Sequence, residues 1–304
     1  MLIKRIITAL VLASLMIAAI FELSSTNFSA LIGVVTLLGA WEWLDLTNVT
    51  SLKKKLWFLF WLIFPMLGVT FWTELLELAS EALEWPELKD YSDILEWLVI
   101  PPVLFWLLTM ILIRNAGPQL LRMEFKPVFT AFIGWLVLLS AWMFLSKLRA
   151  FYGSSMVLYF MILIWTADVS AYFAGRKWGK EQLAPEISPG KTVQGMYAAL
   201  ASAVICGVGL RLHYGVSALT NTDSEQGQLA ILMSFDLLML SVLTVLVSIY
   251  GDLFFSLVKR RKGVKDSSHL LPGHGGVLDR VDSVVAAAPF FYAGILLIGR
   301  SIFA

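Results

Sequence analysis

Runs of about 20 mostly apolar residues recur along the chain, and each is long enough to cross a bilayer as a helix. Apolar residues make up 59% of the sequence and charged residues 15%, compared with about 45–50% and about 25% in a typical soluble domain. The pattern predicts an all-α, polytopic integral membrane protein of about nine transmembrane helices. The expected spans are 6–22, 28–44, 56–73, 98–113, 129–146, 154–174, 193–210, 228–250 and 284–303.

Net charge and cysteine content argue against two further classes of protein. The formal net charge of +1 disfavours a nucleic-acid partner bound through overall basicity. The single cysteine, Cys206, lies in an apolar run and rules out a disulfide framework within the chain.

The basic residues fall mainly in alternate loops, which nine spans would bring to one side of the membrane. The positive-inside rule assigns that side to the cytoplasm. We therefore expect a multi-pass protein of the cell inner membrane, with a cytoplasmic N-terminus and an active site facing the cytoplasm. Segment 74–97, with eight acidic residues and Lys89 as its only base, would lie on the periplasmic side as an amphipathic helix. The basic loops contain Lys4, Arg5, residues 53–55, Arg114, Arg122, Lys126, Arg176, Lys177, Lys180, Lys191 and residues 259–265, whereas Lys147 and Arg149 are exceptions.

The connections between spans are short. None exceeds about 35 residues, whereas a small autonomous domain usually needs about 50. Any chemistry must therefore be carried by helix ends and cytoplasmic loops. We divide the chain into N-terminal transmembrane helices at 1–150 and a C-terminal catalytic transmembrane region at 151–304.

The segment that joins the eighth and ninth spans combines carboxylates, bases and glycines. If the eighth helix continues past Asp252, this residue shares a helix face with Ser256 and Lys259. A carboxylate, a hydroxyl and an ammonium group then lie side by side. Basic residues beside a span are often topological anchors, but anchoring does not explain the aspartates, glycines and histidines of the same loop.

The second half of this segment leads into the ninth span. The run Pro-Gly-His-Gly-Gly at 272–276 breaks the chain, so backbone N–H groups precede Asp279, Arg280 and Asp282 at the expected helix start. A helix N-terminus favours anions, and aspartates at two helix ends can converge on a hard cation such as Mg²⁺. The combination predicts transfer at a phosphorus centre, where catalysis is mostly positioning and charge stabilisation.

Two aspartates fall inside apolar spans. A carboxylate is costly there, so Asp168 should face a polar cavity or a partner, for which Arg176 and Lys177 are candidates. A purely structural ion pair is the alternative. Asp236 lies mid-span without a motif, and for it a structural role is favoured.

The tripeptide Gly-Lys-Thr at 190–192 suggests a P-loop. Pro185 occupies the position of the first required glycine, and we expect no strand before it, so a Walker A site is rejected. Ser188, Lys191 and Thr192 can still donate to a phosphate at the start of the seventh helix. Simple helix capping is the alternative.

Segment 256–282 reads Ser256-x-Val-Lys-Arg, then Lys265-Asp-x-Ser, then Leu271-Pro-x-His-Gly-Gly-Val-x-Asp-Arg-Val-Asp282, and Gly251-Asp252-Leu253 precedes it. This run resembles the complete signature of the phosphatidate cytidylyltransferases, also called CDP-diacylglycerol synthases. The upstream blocks 168–180 and 188–195 look like the second conserved block of that family, so the likeness covers most of the chain from about residue 150. One departure is Phe255, where bacterial members often carry Glu.

The resemblance implies a reaction in phospholipid biosynthesis. CTP and phosphatidate would give CDP-diacylglycerol and pyrophosphate, through attack of a phosphate oxygen of the lipid on the α-phosphorus of CTP. Family members are understood to use Mg²⁺ with a second cation such as K⁺, and they are expected to be homodimers.

The resemblance also implies the roles of individual residues. Asp252 and Asp279 are the expected metal ligands, with Asp282 as a third, and the catalytic set is Asp252, Lys259, Asp279 and Arg280. A catalytic-base role for either histidine of the loop is disfavoured, because a phosphate nucleophile is already ionised near neutral pH. Substrate binding is expected from Asp168, Arg176, Ser188, Lys191, Thr192, Ser256, Arg260, Lys265, His274, Gly275 and Gly276.

Two alternatives remain open. An ion-coupled secondary transporter would explain the number of spans and the aspartates inside them, but not the polar loop after the eighth span. A cytidylyltransferase for another membrane lipid phosphate is possible, since nothing in these residues fixes the lipid tails. A CDP-alcohol phosphotransferase is excluded, because its Asp-Gly-x-x-Ala-Arg type of aspartate cluster is absent.

Overall fold

A computed structural model describes residues 2–219, 225–271 and 275–303 of the chain. These residues form helices and one small hairpin. The helices are α1 (Leu2–Glu22), α2 (Ser25–Leu46), α3 (Leu52–Thr70), α4 (Trp72–Ala82), a 3₁₀ segment (Pro86–Val99), α5 (Ile100–Arg122), α6 (Pro127–Trp178), α7 (Val193–Leu219), α8 (Glu225–Arg261) and α9 (Leu278–Phe303). The strands are β1 (Gln182–Ala184) and β2 (Ser188–Thr192).

Most of these helices are candidates for membrane spans. Within the described residues, six helices are long and apolar enough to cross a membrane, and the number is seven if α3 and α4, which meet at a bend of 71°, form one broken span. The predicted all-α, polytopic membrane class is thereby confirmed. The exact number of nine stays a prediction.

Helix α6 contains two of the expected spans, 129–146 and 154–174. Gly153 separates them with φ +79°, a conformation that side chains larger than glycine rarely adopt. The proposed boundary between regions, at residues 150 and 151, lies close to this break.

The acidic segment 74–97 is not one amphipathic helix, so that prediction was wrong. It forms most of α4 and of the 3₁₀ segment, joined by a turn in which Glu84 has φ +51°. The sequence cause is Pro86, because a proline forces the preceding residue, Trp85, out of the helical region (φ −120°, ψ 88°).

The C-terminal helices pack around α6 and α8. Helix α6 contacts α2, α7 and α9, whereas α8 contacts α5, α7 and α9. Aromatic contacts join α6 to α9 and α2 to α8: the ring of Phe291 of α9 is tilted against that of Phe160 of α6 at 5.1 Å between centroids, and Trp43 of α2 stacks on Phe254 of α8 at 6.0 Å. The packing brings the C-terminal end of α8 and the N-terminal end of α9 together.

Between α6 and α7 the chain forms an antiparallel hairpin in which Ala184 pairs with Ser188 and Gln182 with Thr192. The expectation that no strand precedes Gly-Lys-Thr was therefore wrong. Period-2 alternation of apolar residues is lacking in these short strands, and β2 contains Pro189 and Gly190. A Walker A site stays rejected, because Pro185 still occupies the position of a required glycine.

Candidate functional site

The candidate site lies where α6, α8, α9 and the hairpin meet. Helices α8 and α9 approach closely at Gly251, where an added Cβ would collide with the Cβ of Ala286. This contact sets Asp252 of α8 beside the first turn of α9. The two halves of the sequence signature are therefore neighbours in space.

Asp252 lies on α8, which continues past the expected span to Arg261 and so meets the condition set from the sequence. The hydroxyl of Ser256 donates to Asp252 Oδ1 at 3.3 Å, which confirms that these two residues share a helix face. Lys191 Nζ of β2 lies 2.7 Å from Asp252 Oδ2 and also donates to the carbonyl oxygen of Ile249 at 3.2 Å. The hairpin is thereby held on α8.

Asp279, in the first turn of α9, makes a second ion pair. Lys259 Nζ lies 2.6 Å from Asp279 Oδ1. Asp279 Oδ2 accepts hydrogen bonds from the backbone N–H groups of Ser267 (2.8 Å) and Gly276 (3.0 Å) and from the Ser267 hydroxyl (3.0 Å). A carboxylate in the first turn of a helix is electrostatically favourable. Asp279 therefore fixes the loop before α9 as well as pairing with a base.

Asp282 and Asp168 complete the acidic part of the site. Asp282 is buried, and its Oδ1 accepts the N–H of Ser283 at 2.9 Å. The Ser283 side chain hydrogen-bonds to Asp168, which comes from α6. Asp282 also lies within electrostatic range of Asp252 and Asp168. Three helices thus bring like charges together.

These side chains define what we call the aspartate–lysine cluster. Four carboxylates lie against the two ammonium groups that the described residues contribute, so negative charge is in excess. Excess negative charge in a partly buried site favours a bound cation. The cluster consists of Asp168, Asp252, Asp279, Asp282, Lys191 and Lys259.

The oxygen donors of the cluster suit a hard cation such as Mg²⁺. Within the described residues, however, no three His, Cys, Asp or Glu side chains are arranged to hold a metal ion. Lysines instead occupy one oxygen each of Asp252 and Asp279. Metal binding by Asp252, Asp279 and Asp282 stays a prediction.

The suggested pairing of Asp168 with Arg176 or Lys177 was wrong. Arg176 Nη1 donates to the hydroxyl of Tyr172 at 3.3 Å, and Lys177 Nζ lies over the ring of Trp178. Both bases lie at the exposed end of α6, about two turns beyond Asp168. Asp168 turns towards α8 and α9 instead.

The remaining hairpin residues lie close to α7. The Thr192 hydroxyl accepts the N–H of Gly195 at 3.1 Å and so caps the start of α7, which is the alternative that the sequence left open. Ser188 is half-buried in β2. Substrate binding by Ser188 and Thr192 stays a prediction.

The other predicted residues lie in segment 256–282, which contains the end of α8, the signature loop (residues 262–277) and the start of α9. Arg260 donates to the carbonyl oxygens of Ile187 (3.3 Å) and Val264 (3.1 Å), whereas Lys265 and Arg280 are exposed. Gly275 has φ +82°. His274 lies outside the described residues.

Phe255, the position at which the sequence departs from the resembled family, lies in an aromatic contact. Its side chain is 1% exposed, and its ring lies 6.0 Å from Trp43 of α2 and 6.5 Å from Trp106 of α5. An ionised Glu would be unpaired in such an apolar contact. Asp236, by contrast, is exposed on α8, about 24 Å along the helix from Asp252.

Sequence reasoning missed Glu42 of α2. Its carboxylate is 1% exposed and accepts four hydrogen bonds from residues of the signature loop and the start of α9. A signal was present, since Glu42 is the only charged residue of the apolar run 28–44. An ionisable residue in a span is by default a candidate functional residue.

Known proteins resemble this chain over nearly its full length. The profile of the Cytidylyltransferase family matches residues 3–298. The chain is 33% identical over 298 residues to the Haemophilus influenzae protein named phosphatidate cytidylyltransferase, covering 96% of this chain and 97% of that protein. It is 36% identical over 301 residues to the Pseudomonas aeruginosa protein of the same name, covering 96% of each. It is also 40% identical to a Brucella abortus protein of that name over 141 residues, which are 46% of this chain and 47% of that protein. The chain therefore belongs to the cytidylyltransferase family.

Proposed function

We propose that the protein is a phosphatidate cytidylyltransferase, which joins the cytidylyl group of CTP to the phosphate of phosphatidate and releases pyrophosphate. Relatives of that name match 96% of the chain. The aspartate–lysine cluster carries the proposal, because paired carboxylates and ammonium groups at helix ends suit transfer at a phosphorus centre. The product would be CDP-diacylglycerol, a precursor for phospholipid synthesis.

The proposed reaction is a direct displacement. A phosphate oxygen of phosphatidate forms a bond to the α-phosphorus of CTP, and the bond from that phosphorus to the oxygen bridging the β-phosphate breaks. Negative charge builds up on the phosphate oxygens, and Lys191, Lys259 and Arg280 are the proposed groups that stabilise it. The nucleophile is already ionised near neutral pH, so the reaction needs no strong general base.

We propose that Asp252, Asp279 and Asp282 hold Mg²⁺, with a second cation such as K⁺ nearby. Support comes from the excess of carboxylates over lysines in the cluster and from the partial exposure of Asp252. A bound Mg²⁺ would neutralise part of the triphosphate charge. In the state described here Lys191 and Lys259 balance part of the carboxylate charge.

We also propose that the site faces the cytoplasm from the inner membrane of the cell, in a homodimer. A lipid can then enter sideways from the bilayer while CTP arrives from the aqueous side. The alternating basic loops support this orientation. A reporter fused after residue 304 should be found outside the cytoplasm, and a cytoplasmic reporter would contradict the orientation. Cross-linking in native membranes should yield a dimer.

The test of function uses purified protein in detergent with labelled CTP. We expect Mg²⁺-dependent formation of CDP-diacylglycerol and pyrophosphate from phosphatidate, and no product in EDTA. Product formation in EDTA would refute the metal assignment, whereas no CDP-lipid from wild type would refute the function. Parallel reactions with other membrane lipid phosphates, such as a polyprenyl phosphate, decide the substrate. A preference for one of them would replace phosphatidate in the proposal.

A further inference from the structure

The buried carboxylate of Glu42 joins two parts of the chain that are far apart in sequence. Glu42 lies near the C-terminal end of α2, and its hydrogen-bond partners lie in the signature loop and at the start of α9. Burying an ionised carboxylate is unfavourable unless hydrogen bonds compensate the lost hydration. An apolar side chain would have filled the same space without that requirement. The carboxylate therefore needs an explanation beyond packing.

Each oxygen of Glu42 accepts two hydrogen bonds. Oε1 accepts from the hydroxyl of Ser268 at 2.6 Å and from the N–H of Val277 at 2.8 Å. Oε2 accepts from the hydroxyl of Ser267 at 2.8 Å and from the N–H of Leu278 at 2.9 Å. The four donors lie at the two ends of segment 267–278. Glu42 thus joins residues 267–268 of the signature loop to residues 277–278 at the start of α9.

The same contacts continue to Asp279. Ser267, which contacts Glu42 through its hydroxyl, also donates its N–H to Asp279 Oδ2. Gly276 donates to that oxygen as well, and a Cβ on Gly276 would collide with both Ser267 Oγ and the Glu42 carboxylate. Only a glycine at 276 therefore lets Glu42 and Asp279 approach the loop together.

We propose that Glu42 is a positioning residue, which holds residues 267–268 and 277–278 so that Asp279 and Lys259 keep the geometry that receives the substrate phosphates. Its role is indirect, because the hydrogen bonds described for its carboxylate all come from these four residues. The catalytic part of this inference rests on the proposed function. The sequence region assigned to transmembrane helices alone, 1–150, would then contribute to the site.

The test compares substitutions at Glu42 in the purified full-length protein. Glu42→Gln keeps the size of the side chain but replaces one acceptor oxygen by an NH₂ donor that faces other donors. We expect kcat to fall about 10–100-fold, as is typical when a group that orients a catalytic ligand is lost. Hydrogen exchange should become faster in 267–279 and stay unchanged in α6 and α7.

Glu42→Asp distinguishes positioning from packing. It shortens the side chain but keeps the carboxylate, so we expect it to retain more activity than Glu42→Gln. A packing role predicts the reverse order, since Gln has nearly the shape of Glu. Greater activity of the Gln variant would therefore overturn the proposal.

Ser268→Ala gives a milder test should substitutions at Glu42 impair folding. Its hydroxyl donates to Glu42 at 2.6 Å, so we expect a loss of a few-fold in kcat and no further loss when the change is added to Glu42→Gln. Additive losses would contradict a shared role.

Asp45→Asn is the matched control, because it removes one negative charge from the same helix. The Asp45 side chain pairs with Lys55 of α3, not with the loop. It should keep wild-type kcat and wild-type exchange in 267–279. An equal loss in Asp45→Asn, or a Glu42→Gln variant with wild-type kcat and exchange, would refute the proposal.

If wild type makes no CDP-lipid, the proposed function fails, and the exchange measurement still decides whether Glu42 holds the loop.

Discussion

The two lysine–aspartate pairs of the site resemble each other in distance but differ in surroundings. The hairpin pair, Lys191 and Asp252, is separated by 2.7 Å, and its side chains are 24% and 28% exposed. The loop pair, Lys259 and Asp279, is separated by 2.6 Å, and its side chains are 10% and 6% exposed. The loop pair is therefore nearly withdrawn from solvent, whereas the hairpin pair stays accessible.

Asp279, in the less exposed pair, also accepts more of the described hydrogen bonds than Asp252 does. Asp279 accepts three hydrogen bonds from Ser267 and Gly276 in addition to its lysine. Asp252 accepts only a long bond of 3.3 Å from Ser256 beyond its pairing with Lys191, among the contacts described. In the loop pair, Asp279 thus both holds the loop before α9 and takes part in the proposed chemistry. In the hairpin pair, Lys191 is freer to leave Asp252 for a substrate phosphate, and Asp252 is freer to bind a cation.

The largest effect should follow Asp279→Asn. This change removes the direct ion-pair partner of the buried Lys259, at 2.6 Å, and loss of one partner of a buried pair typically costs about 3–5 kcal/mol of stability. It also removes a proposed catalytic carboxylate, so we expect activity to fall by about 10²–10³-fold or more. Activity and melting temperature in detergent should both decrease. Asp236→Asn, on the exposed part of α8, is the control and should match wild type in both. An Asp279→Asn variant with wild-type melting temperature would remove the contrast between the pairs.

Asp252→Asn should separate activity from stability. We expect a loss of activity similar to that of Asp279→Asn, because Asp252 is the other proposed metal ligand. The loss of stability should stay near 1 kcal/mol, as for partly exposed ion pairs. The measurement is product formation beside thermal unfolding of the same preparation. Equal destabilisation by both aspartate substitutions would show that exposure does not distinguish the pairs.

Lys191→Met tests whether the hairpin pair gives up its lysine to substrate. A charge-assisted hydrogen bond to phosphate contributes about 1.5–3 kcal/mol, so kcat/KM for CTP should fall roughly 10–100-fold. Lys180→Met removes a base from the same connection, where Lys180 is exposed, and should leave kcat/KM unchanged. A Lys191→Met variant with unaltered kcat/KM would restrict Lys191 to holding the hairpin on α8.

Local features of the site could be predicted from the sequence, because helical spacing determines them. Asp252 and Ser256 share a face since they are four residues apart on a continuous helix. The break of the acidic segment could also have been predicted, because Pro86 restricts Trp85. The hairpin could not, because its short strands lack an apolar pattern.

Long-range pairings follow from packing rather than from spacing. Lys191 reaches Asp252 only because β2 folds back onto α8, and Asp168 faces Ser283 only because α6 packs against α9. The sequence suggested Arg176 for Asp168 since neighbours along one helix are the only partners that periodicity can identify. Glu42 illustrates the same limit, although its isolated charge in an apolar run marked it for attention.

The smallest effect is expected for Ser256→Ala, which removes the one hydrogen bond that Asp252 receives, besides those of Lys191, from the described part of the chain. A net contribution of about 0.5–1.5 kcal/mol corresponds to a decrease of roughly 2–10-fold in activity. At 3.3 Å the bond is long, so the lower end of that range is expected. Ser267→Ala, the corresponding change beside Asp279, should cost more, because the Ser267 hydroxyl lies near both Asp279 and Glu42. Measured side by side, equal losses would show that Asp252 is held as firmly as Asp279, and the hairpin pair would then not be the more open of the two.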